Sequence, residues 1–192
     1  MRHCSRLASG TAAGKLSAMT MHLSLHFAAV AFLSCAAVAS AEAAVPKVLG
    51  TFNDWEAYVL VEGNNQRTCY MASQPSKKEP ANVKRGDVLV FVTHRPADKE
   101  RDVVNVQFGY PLKAGADVQL AVGDAKFSLF SNGEAAWTRG AADDKMLVAA
   151  MMKGAGMSVV GQSERGTKTT DSYSLRGFTA AYREITKACG LT

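Results

Sequence analysis

The stretch "GQSERGTKT", residues 161–169, can be interpreted as a phosphate-binding loop or as a turn between two strands, and the two interpretations imply different folds. Its glycines, lysine and threonine resemble the phosphate-binding pattern G-x-x-x-x-G-K-[ST], but Thr167 separates Gly166 from Lys168. A phosphate loop also requires a helix directly after it, whose backbone amides point at the phosphates. The residues that follow are β-branched and alternate in polarity. We therefore predict a turn between two antiparallel strands and no nucleotide site.

Further strand patterns follow one another after residue 50. They occupy residues 55–61, 67–73, 87–95, 103–110, 117–124, 125–133, 156–163 and 168–175. Gly123-Asp124 predicts a hairpin turn, and the charged, proline-containing segment 74–86 predicts a solvated loop. About eight short strands without βαβ alternation predict a mainly β fold, an antiparallel β-sandwich.

Two short helices complete the predicted fold. The segment 143–154 has an aspartate at its start and a glycine at its end, and its apolar residues on every side indicate burial. The C-terminal segment 177–189 is amphipathic and should pack against the sheet. Its apolar stripe consists of Phe178, Ala181, Ile185 and Cys189.

The N-terminus has the order of a secretory signal peptide. Basic residues precede an apolar, alanine-rich run that carries no charge from Leu16 to Ala41. Small residues end this run, which predicts cleavage before Glu42 or, at a competing site, before Ser40. An uncleaved membrane anchor and lipidation at Cys35 are the alternatives.

Removal of the predicted signal peptide, residues 1–41, changes the net charge of the chain, and the signal peptide indicates where residues 42–192 are located. It holds three of the 22 Lys and Arg residues, so residues 42–192 carry 19 basic against 17 acidic side chains, a net charge of +2. A nucleic-acid partner requires a concentrated basic face, so we expect neither a nucleic-acid nor a nucleotide partner. We expect a flexible lead-in at 42–50, a single domain at 51–192, no later membrane span, and a periplasmic or cell-surface location.

Two of the four cysteines, Cys69 and Cys189, remain after the signal peptide. In an oxidising compartment, two such cysteines most simply form one disulfide, here between an early strand and the C-terminal helix. Two buried free thiols are the alternative. The sequence contains no C-x-x-C, so a redox pair is not indicated.

Catalytic patterns are sparse in this sequence. His94 is the one histidine after residue 41, whereas a metal site generally needs several His, Cys or carboxylate ligands. The nucleophile elbow G-x-S-x-G is broken at Arg165, and the aspartates 143–144 fit the start of a helix. We therefore expect no enzymatic activity and no cofactor, with acid–base catalysis by carboxylates as the alternative.

Aromatic and basic residues are the candidates for a partner surface. Trp55 and Trp137 could anchor a partner, although tryptophans in a small sandwich more often belong to the core. The loop 74–86 could meet an anionic lipid or polysaccharide, or could simply be solvated. Its basic residues are Lys77, Lys78, Lys84 and Arg85.

The order of several motifs resembles the invasion-associated locus B family of exported bacterial proteins. The motifs are "FNDWEAY" (52–58), "RTCYMASQP" (67–75), "VTHRP" (92–96), "FGYPLKAGADVQL" (108–120), "FSLFSNGEAAW" (127–137) and the segment 151–189, which contains "SLRGFTAAY". Together they span nearly the whole chain after the signal peptide. The resemblance implies an immunoglobulin-like β-sandwich in the periplasm or at the cell surface, with a link to host-cell entry.

Export, the missing catalytic patterns and this resemblance together predict a non-enzymatic interaction module of the bacterial envelope. Its partner would be another envelope protein, a host-surface protein or a polysaccharide. A small periplasmic hydrolase or ligand-binding protein that uses carboxylates is the alternative.

Overall fold

Eleven strands and two helices make up the described part of the chain. The structure is a computed structural model and describes residues 44–191. The strands are β1 (Lys47–Phe52), β2 (Trp55–Val61), β3 (Arg67–Ser73), β4 (Lys77–Glu79), β5 (Leu89–Arg95), β6 (Glu100–Gln107), β7 (Val118–Val122), β8 (Ala125–Asn132), β9 (Ala135–Trp137), β10 (Gly156–Gln162) and β11 (Lys168–Ser174). The helices are α1 (Ala141–Lys153) and α2 (Phe178–Ala188).

These strands form one open antiparallel sheet in the order β1-β2-β3-β5-β6-β9-β8-β7-β10-β11-β4. Strand β8 holds its two halves together, because residues 125–129 pair with β7 and residues 130–132 pair with β9. The prediction of a mainly β, antiparallel fold with two short helices, one of them C-terminal, is confirmed. The immunoglobulin-like sandwich is not confirmed, because the strands form a single continuous sheet.

Three segments differ from the sequence-based expectation. Residues 47–50 were expected in a flexible lead-in at 42–50 but belong to β1, which pairs with β2. The loop 74–86 contains the edge strand β4, and residues 135–137 form β9 between β8 and β6. The predicted signal peptide, residues 1–41, lies outside the described residues.

Alternation along the strands separates a core-facing side from an outer side. In β2, Trp55 and Ala57 are fully buried, whereas Glu56 is exposed and Tyr58 is half-buried. Buried side chains from both halves of the sheet and from both helices form one hydrophobic core. The predicted stripe of α2 is buried in that core, as helical spacing implied.

Helix α1 is less buried than its composition predicted. Leu147 and Met151 are fully buried, but Met146 is 56% exposed, so the helix has a solvent-facing side. It begins at Ala141, and no side chain caps its start. Asp144 turns towards β6 instead. Within residues 44–191, no helix is long and apolar enough to cross a membrane.

The hairpin predicted from "GQSERGTKT" is present. Strand β10 pairs with β11 up to Gln162 and Lys168, and the amide of Gly166 donates to the carbonyl of Ser163 at 2.8 Å. Gly166 has a φ of +86°, which favours glycine. Gly161 instead serves packing, because a Cβ there would lie 2.5 Å from the ring of Phe108. Both glycines therefore have structural roles.

Candidate functional site

Trp55, one of the predicted partner residues, is a core residue. Its side chain is fully buried, and its indole Nε1 donates to the carbonyl of Ser174 at 3.0 Å. Its ring meets Phe178 edge-on at a centroid distance of 4.9 Å. The prediction that Trp55 belongs to a partner surface is wrong, because position 55 has the core-facing phase of β2.

Arg85 is also buried, and its predicted place on a solvated basic surface is wrong. Its side chain is 3% exposed and forms a two-point ion pair with the fully buried carboxylate of Asp171, in which Nη1 lies 2.9 Å from Oδ2. The guanidinium also lies 6.0 Å from the ring centroid of Tyr110. A buried carboxylate needs such a partner, so Arg85 fastens the loop 74–86 to β11.

Lys77, Lys78 and Lys84 are exposed, as expected, but they lie apart from Trp137. Lys77 and Lys78 belong to β4 at one edge of the sheet, and Lys77 pairs with Glu79 at 2.7 Å. Trp137 is half-buried on β9 in the middle of the sheet. The six predicted partner residues therefore do not form one surface.

The predicted disulfide is present between Cys69 in β3 and Cys189 at the end of α2. The two Cα atoms lie 5.9 Å apart, and the two cysteines are 120 residues apart in sequence. The bond ties the last helix to the third strand of the sheet. Both cysteines are buried, so the staple is part of the core.

His94 lies beside this disulfide and has a structural role. Its Nδ1 accepts a hydrogen bond from the amide of Asp102 at 3.1 Å, and its Nε2 lies 3.2 Å from the hydroxyl of Thr186. The side chain is fully buried, and this burial lowers the pKa of His94. A neutral imidazole with its proton on Nε2 satisfies both neighbours, so His94 links β5 and β6 to α2.

Three carboxylates of the described residues are buried, and each has its own hydrogen-bond donors. Asp102 accepts from Tyr182, Asp144 accepts from the amide of Val104 and the hydroxyl of Thr138, and Asp171 accepts from Arg85. Burial raises the pKa of Asp144. In the described range 44–191, no group of three or more His, Cys, Asp or Glu side chains could hold a metal ion. These buried acids attach α2, α1 and the loop 74–86 to the sheet.

A set of aromatic side chains occupies the outer side of the sheet, opposite to the core-facing residues. We call it the outer aromatic face, and it consists of Tyr58, Tyr70, Phe91, Phe130 and Trp137. All five side chains are partly exposed, and Phe130 is 39% exposed. Directly paired residues of an antiparallel sheet point to the same side, and Tyr58 pairs with Tyr70 while Trp137 pairs with Phe130.

The register places these aromatics in one band across six neighbouring strands. Phe91 pairs with Asn105, and Asn105 pairs with Trp137, so a polar residue separates two aromatic groups. Tyr58 and Tyr70 stack at 5.0 Å, and Phe130 and Trp137 stack at 5.9 Å. At the usual strand spacing of about 4.8 Å, the band from β2 to β8 spans about 24 Å.

Each end of the outer aromatic face borders a groove. The tyrosine groove, of about 700 Å³, lies against Tyr58, Tyr70 and Phe91, and its polar lining includes Asp54 and Glu56. The second groove, of about 570 Å³, lies against Phe130 and Trp137. Its basic lining consists of Arg95, Lys99, Arg101 and Arg139. The two ends therefore differ in charge.

Tyr58 and Glu56 form a polar contact at the edge of the tyrosine groove. The tyrosine hydroxyl donates to the carboxylate of Glu56, and this hydrogen bond, together with partial burial, raises the pKa of Tyr58 to about 12. Tyr70 stacks on the same ring, so the two tyrosines hold each other in place. The groove thus has a preformed aromatic wall.

Sequence reasoning missed Tyr58, Tyr70, Phe91 and Phe130 as surface residues. The signal for two of them was present in the alternation: Tyr58 shares the phase of Glu56, and Tyr70 has the opposite phase to Cys69 and Met71. Alternation identifies the outer side of each strand. It does not show that outer residues of several strands meet.

Comparison with known proteins supports the resemblance found from the motifs. The family model described as "Invasion associated locus B (IalB) protein" matches residues 55–186. The crystal structure of invasion associated protein B from Bartonella henselae is similar with a TM-score of 0.52 and 19% sequence identity, covering 75% of this chain and 97% of that chain. At this identity the likeness concerns the fold. A comparison with curated proteins finds no significant match. The chain belongs to the invasion associated locus B protein family.

Proposed function

We propose that this protein is an exported, non-catalytic interaction module of the bacterial envelope, acting in the periplasm or at the cell surface. The observation that carries the proposal is the outer aromatic face, where five partly exposed aromatic side chains lie on one side of a sheet. Large exposed aromatic patches mark binding surfaces, and tyrosine and tryptophan are the residues that most often anchor partners.

Export is supported by the sequence of residues 1–41 and by the disulfide, which is a feature of oxidising compartments. The similar protein from Bartonella henselae is described as invasion associated. On that ground we include a host surface among the partners, together with envelope proteins and polysaccharides. The buried histidine and carboxylates serve packing, which favours binding over catalysis.

Site-specific photo-crosslinking tests whether the outer aromatic face binds a partner. A photoreactive phenylalanine analogue replaces Tyr70 in one variant and the exposed Met146 of α1 in a matched control. We expect a specific crosslinked product from position 70 that Phe91→Ala abolishes, and none from position 146. Equal products from both positions, or a product insensitive to Phe91→Ala, would argue against the outer aromatic face as the binding surface.

A separate measurement tests export. Mass spectrometry of the protein from the envelope fraction should show an N-terminus at or near Glu42. A chain in that fraction that retains the apolar run from Leu16 to Ala41 would contradict the predicted cleavage.

A further inference from the structure

We propose that the tyrosine groove binds a neutral polysaccharide chain. This inference rests on the proposed function and names the class of partner for one end of the outer aromatic face. It follows from the combination of aromatic, hydroxyl, amide and acidic side chains in one groove without a basic residue among the lining residues.

The aromatic wall provides the apolar half of a sugar-binding surface. A pyranose ring has apolar C–H faces and a rim of hydroxyl groups, so it packs on aromatic rings while its rim seeks hydrogen bonds. Tyr58 and Tyr70 are nearly parallel, with an interplanar angle of 14°, and Phe91 lies 6.3 Å from Tyr70 at a tilt of 58°. The groove volume of about 700 Å³ falls in the usual range of ligand sites, about 300–1,000 Å³.

The polar lining provides both donors and acceptors. Amide groups of Asn53 and Gln74 and the hydroxyl group of Thr51 can donate and accept. The hydroxyl of Ser76 already donates to the carbonyl of Ser172 at 3.0 Å, so its oxygen offers an acceptor. Sugar hydroxyls also donate and accept, so such a mixed lining fits them better than it fits a purely anionic or purely cationic ligand. Gln74 and Ser76 are exposed, which places these groups within reach of a ligand.

The charges of the groove favour a neutral ligand. Asp54 and Glu56 are the charged residues of its lining, so a phosphate, sulfate or uronate group would meet only acids there. Both acids also have partners: Asp54 lies 3.5 Å from Arg176, and Glu56 accepts from Tyr58. Their attraction for a cationic peptide is reduced accordingly, whereas both can still accept hydrogen bonds from sugar hydroxyls.

Calorimetric titration of the protein purified from the envelope fraction with defined hexasaccharides tests the proposal. The neutral probes are maltohexaose, cellohexaose and hexa-N-acetylchitohexaose, and a heparin hexasaccharide serves as the anionic probe. We expect at least one neutral probe to bind with a dissociation constant of about 1 mM or tighter, and the heparin probe to bind at least tenfold more weakly.

Variants locate the binding site. We expect Tyr70→Ala to weaken neutral-sugar binding about tenfold or more, as truncation of a central aromatic anchor does. Met146→Ala, which removes an exposed side chain of α1 that does not line the tyrosine groove, is the matched control and should leave the affinity unchanged. Gln74→Ala removes an exposed side chain, so it tests the groove even if Tyr70→Ala fails to fold. It should weaken binding about threefold.

The outcomes separate this inference from the proposed function. The inference is overturned if none of the neutral probes binds. It is also overturned if a neutral probe binds but neither Tyr70→Ala nor Gln74→Ala weakens that binding. If position 70 then still crosslinks to a protein partner in a Phe91-dependent way, the proposed function stands and the ligand class is wrong. If neither sugar nor protein engages position 70, both proposals fail.

Discussion

The ion pair of Arg85 with Asp171 offers a sharp test of how the loop 74–86 is held. The arginine is 3% exposed and the aspartate is fully buried, and two nitrogens of the guanidinium face two oxygens of the carboxylate. Arg85→Met removes the charge and the hydrogen bonds but keeps much of the side-chain volume. Asp171 would then be a buried carboxylate without its cation.

The expected cost follows from that burial. Removing one member of a buried pair typically destabilises a protein by about 3–5 kcal/mol, because the remaining charge stays desolvated. With a urea m-value of about 2 kcal/mol/M, the unfolding midpoint of Arg85→Met should fall by about 1.5–2.5 M. The double variant Arg85→Met with Asp171→Leu removes both charges and should recover most of that loss.

Urea unfolding followed by circular dichroism, with the disulfide intact, measures these midpoints. Arg176→Met is the matched control, since Arg176 is 73% exposed in its pair with Asp54, and its midpoint should stay within about 0.5 M of the wild type. A loss in Arg85→Met no larger than this control would refute the argument. A double variant whose loss equals the sum of the losses measured for Arg85→Met and Asp171→Leu separately would refute it as well.

Three further perturbations test the staple, the buried histidine and the hairpin. Reducing Cys69–Cys189, which closes a separation of 120 residues, should cost up to about 5 kcal/mol in the chain-entropy account, and an unchanged melting temperature in dithiothreitol would contradict this. Burial lowers the pKa of His94 below 6.5, so the unfolded state binds more protons below that pH and stability should fall as the pH drops from 7 to 5. His94→Gln should flatten this part of the urea-midpoint profile, and an equally steep profile would rule out His94 as its source. Gly161→Val should cost about 3 kcal/mol by crowding a buried ring. Gly166→Ala meets no close contact but has a positive φ, so it should cost about 1–2 kcal/mol, and the reverse order of melting temperatures would be inconsistent with the packing described.

Local patterns were sufficient wherever neighbours in sequence determine the structure. Strict alternation predicted β2 and β3 with the bounds Trp55–Val61 and Arg67–Ser73 that the structure shows. Glycine-containing turns predicted both hairpins, and helical spacing predicted the buried stripe of α2. The disulfide was predictable because two cysteines follow the predicted signal peptide, and two cysteines leave a single pairing.

Whether individual charged and aromatic residues are buried or exposed depended on partners that are distant in sequence. Arg85 sits in a loop rich in charge and proline, and its burial follows from Asp171, which lies 86 residues away. The two tryptophans have the same side chain but different environments: Trp55 packs on α2, whereas Trp137 stacks on Phe130 at the outer face. Alternation gives the side of β2 on which Trp55 lies, but no local pattern shows which partners these residues meet, because the partners follow from the order of strands in the sheet.

The sequence alone determined those features of this protein that depend on neighbouring residues, and only the tertiary structure decided those that depend on residues distant in sequence. Periodicity, turn residues and cysteine number depend on short-range geometry, so the sequence determined the antiparallel β class, the two short helices, the disulfide and the family resemblance. Only the structure decided that β8 pairs on both sides and makes the sheet continuous, and that aromatics from β2, β3, β5, β8 and β9 share one outer side. The alternation of polar and apolar residues indicates which residues lie on the same side of one strand. Strand order and register depend on long-range pairing, and they determine which outer residues of different strands lie next to each other.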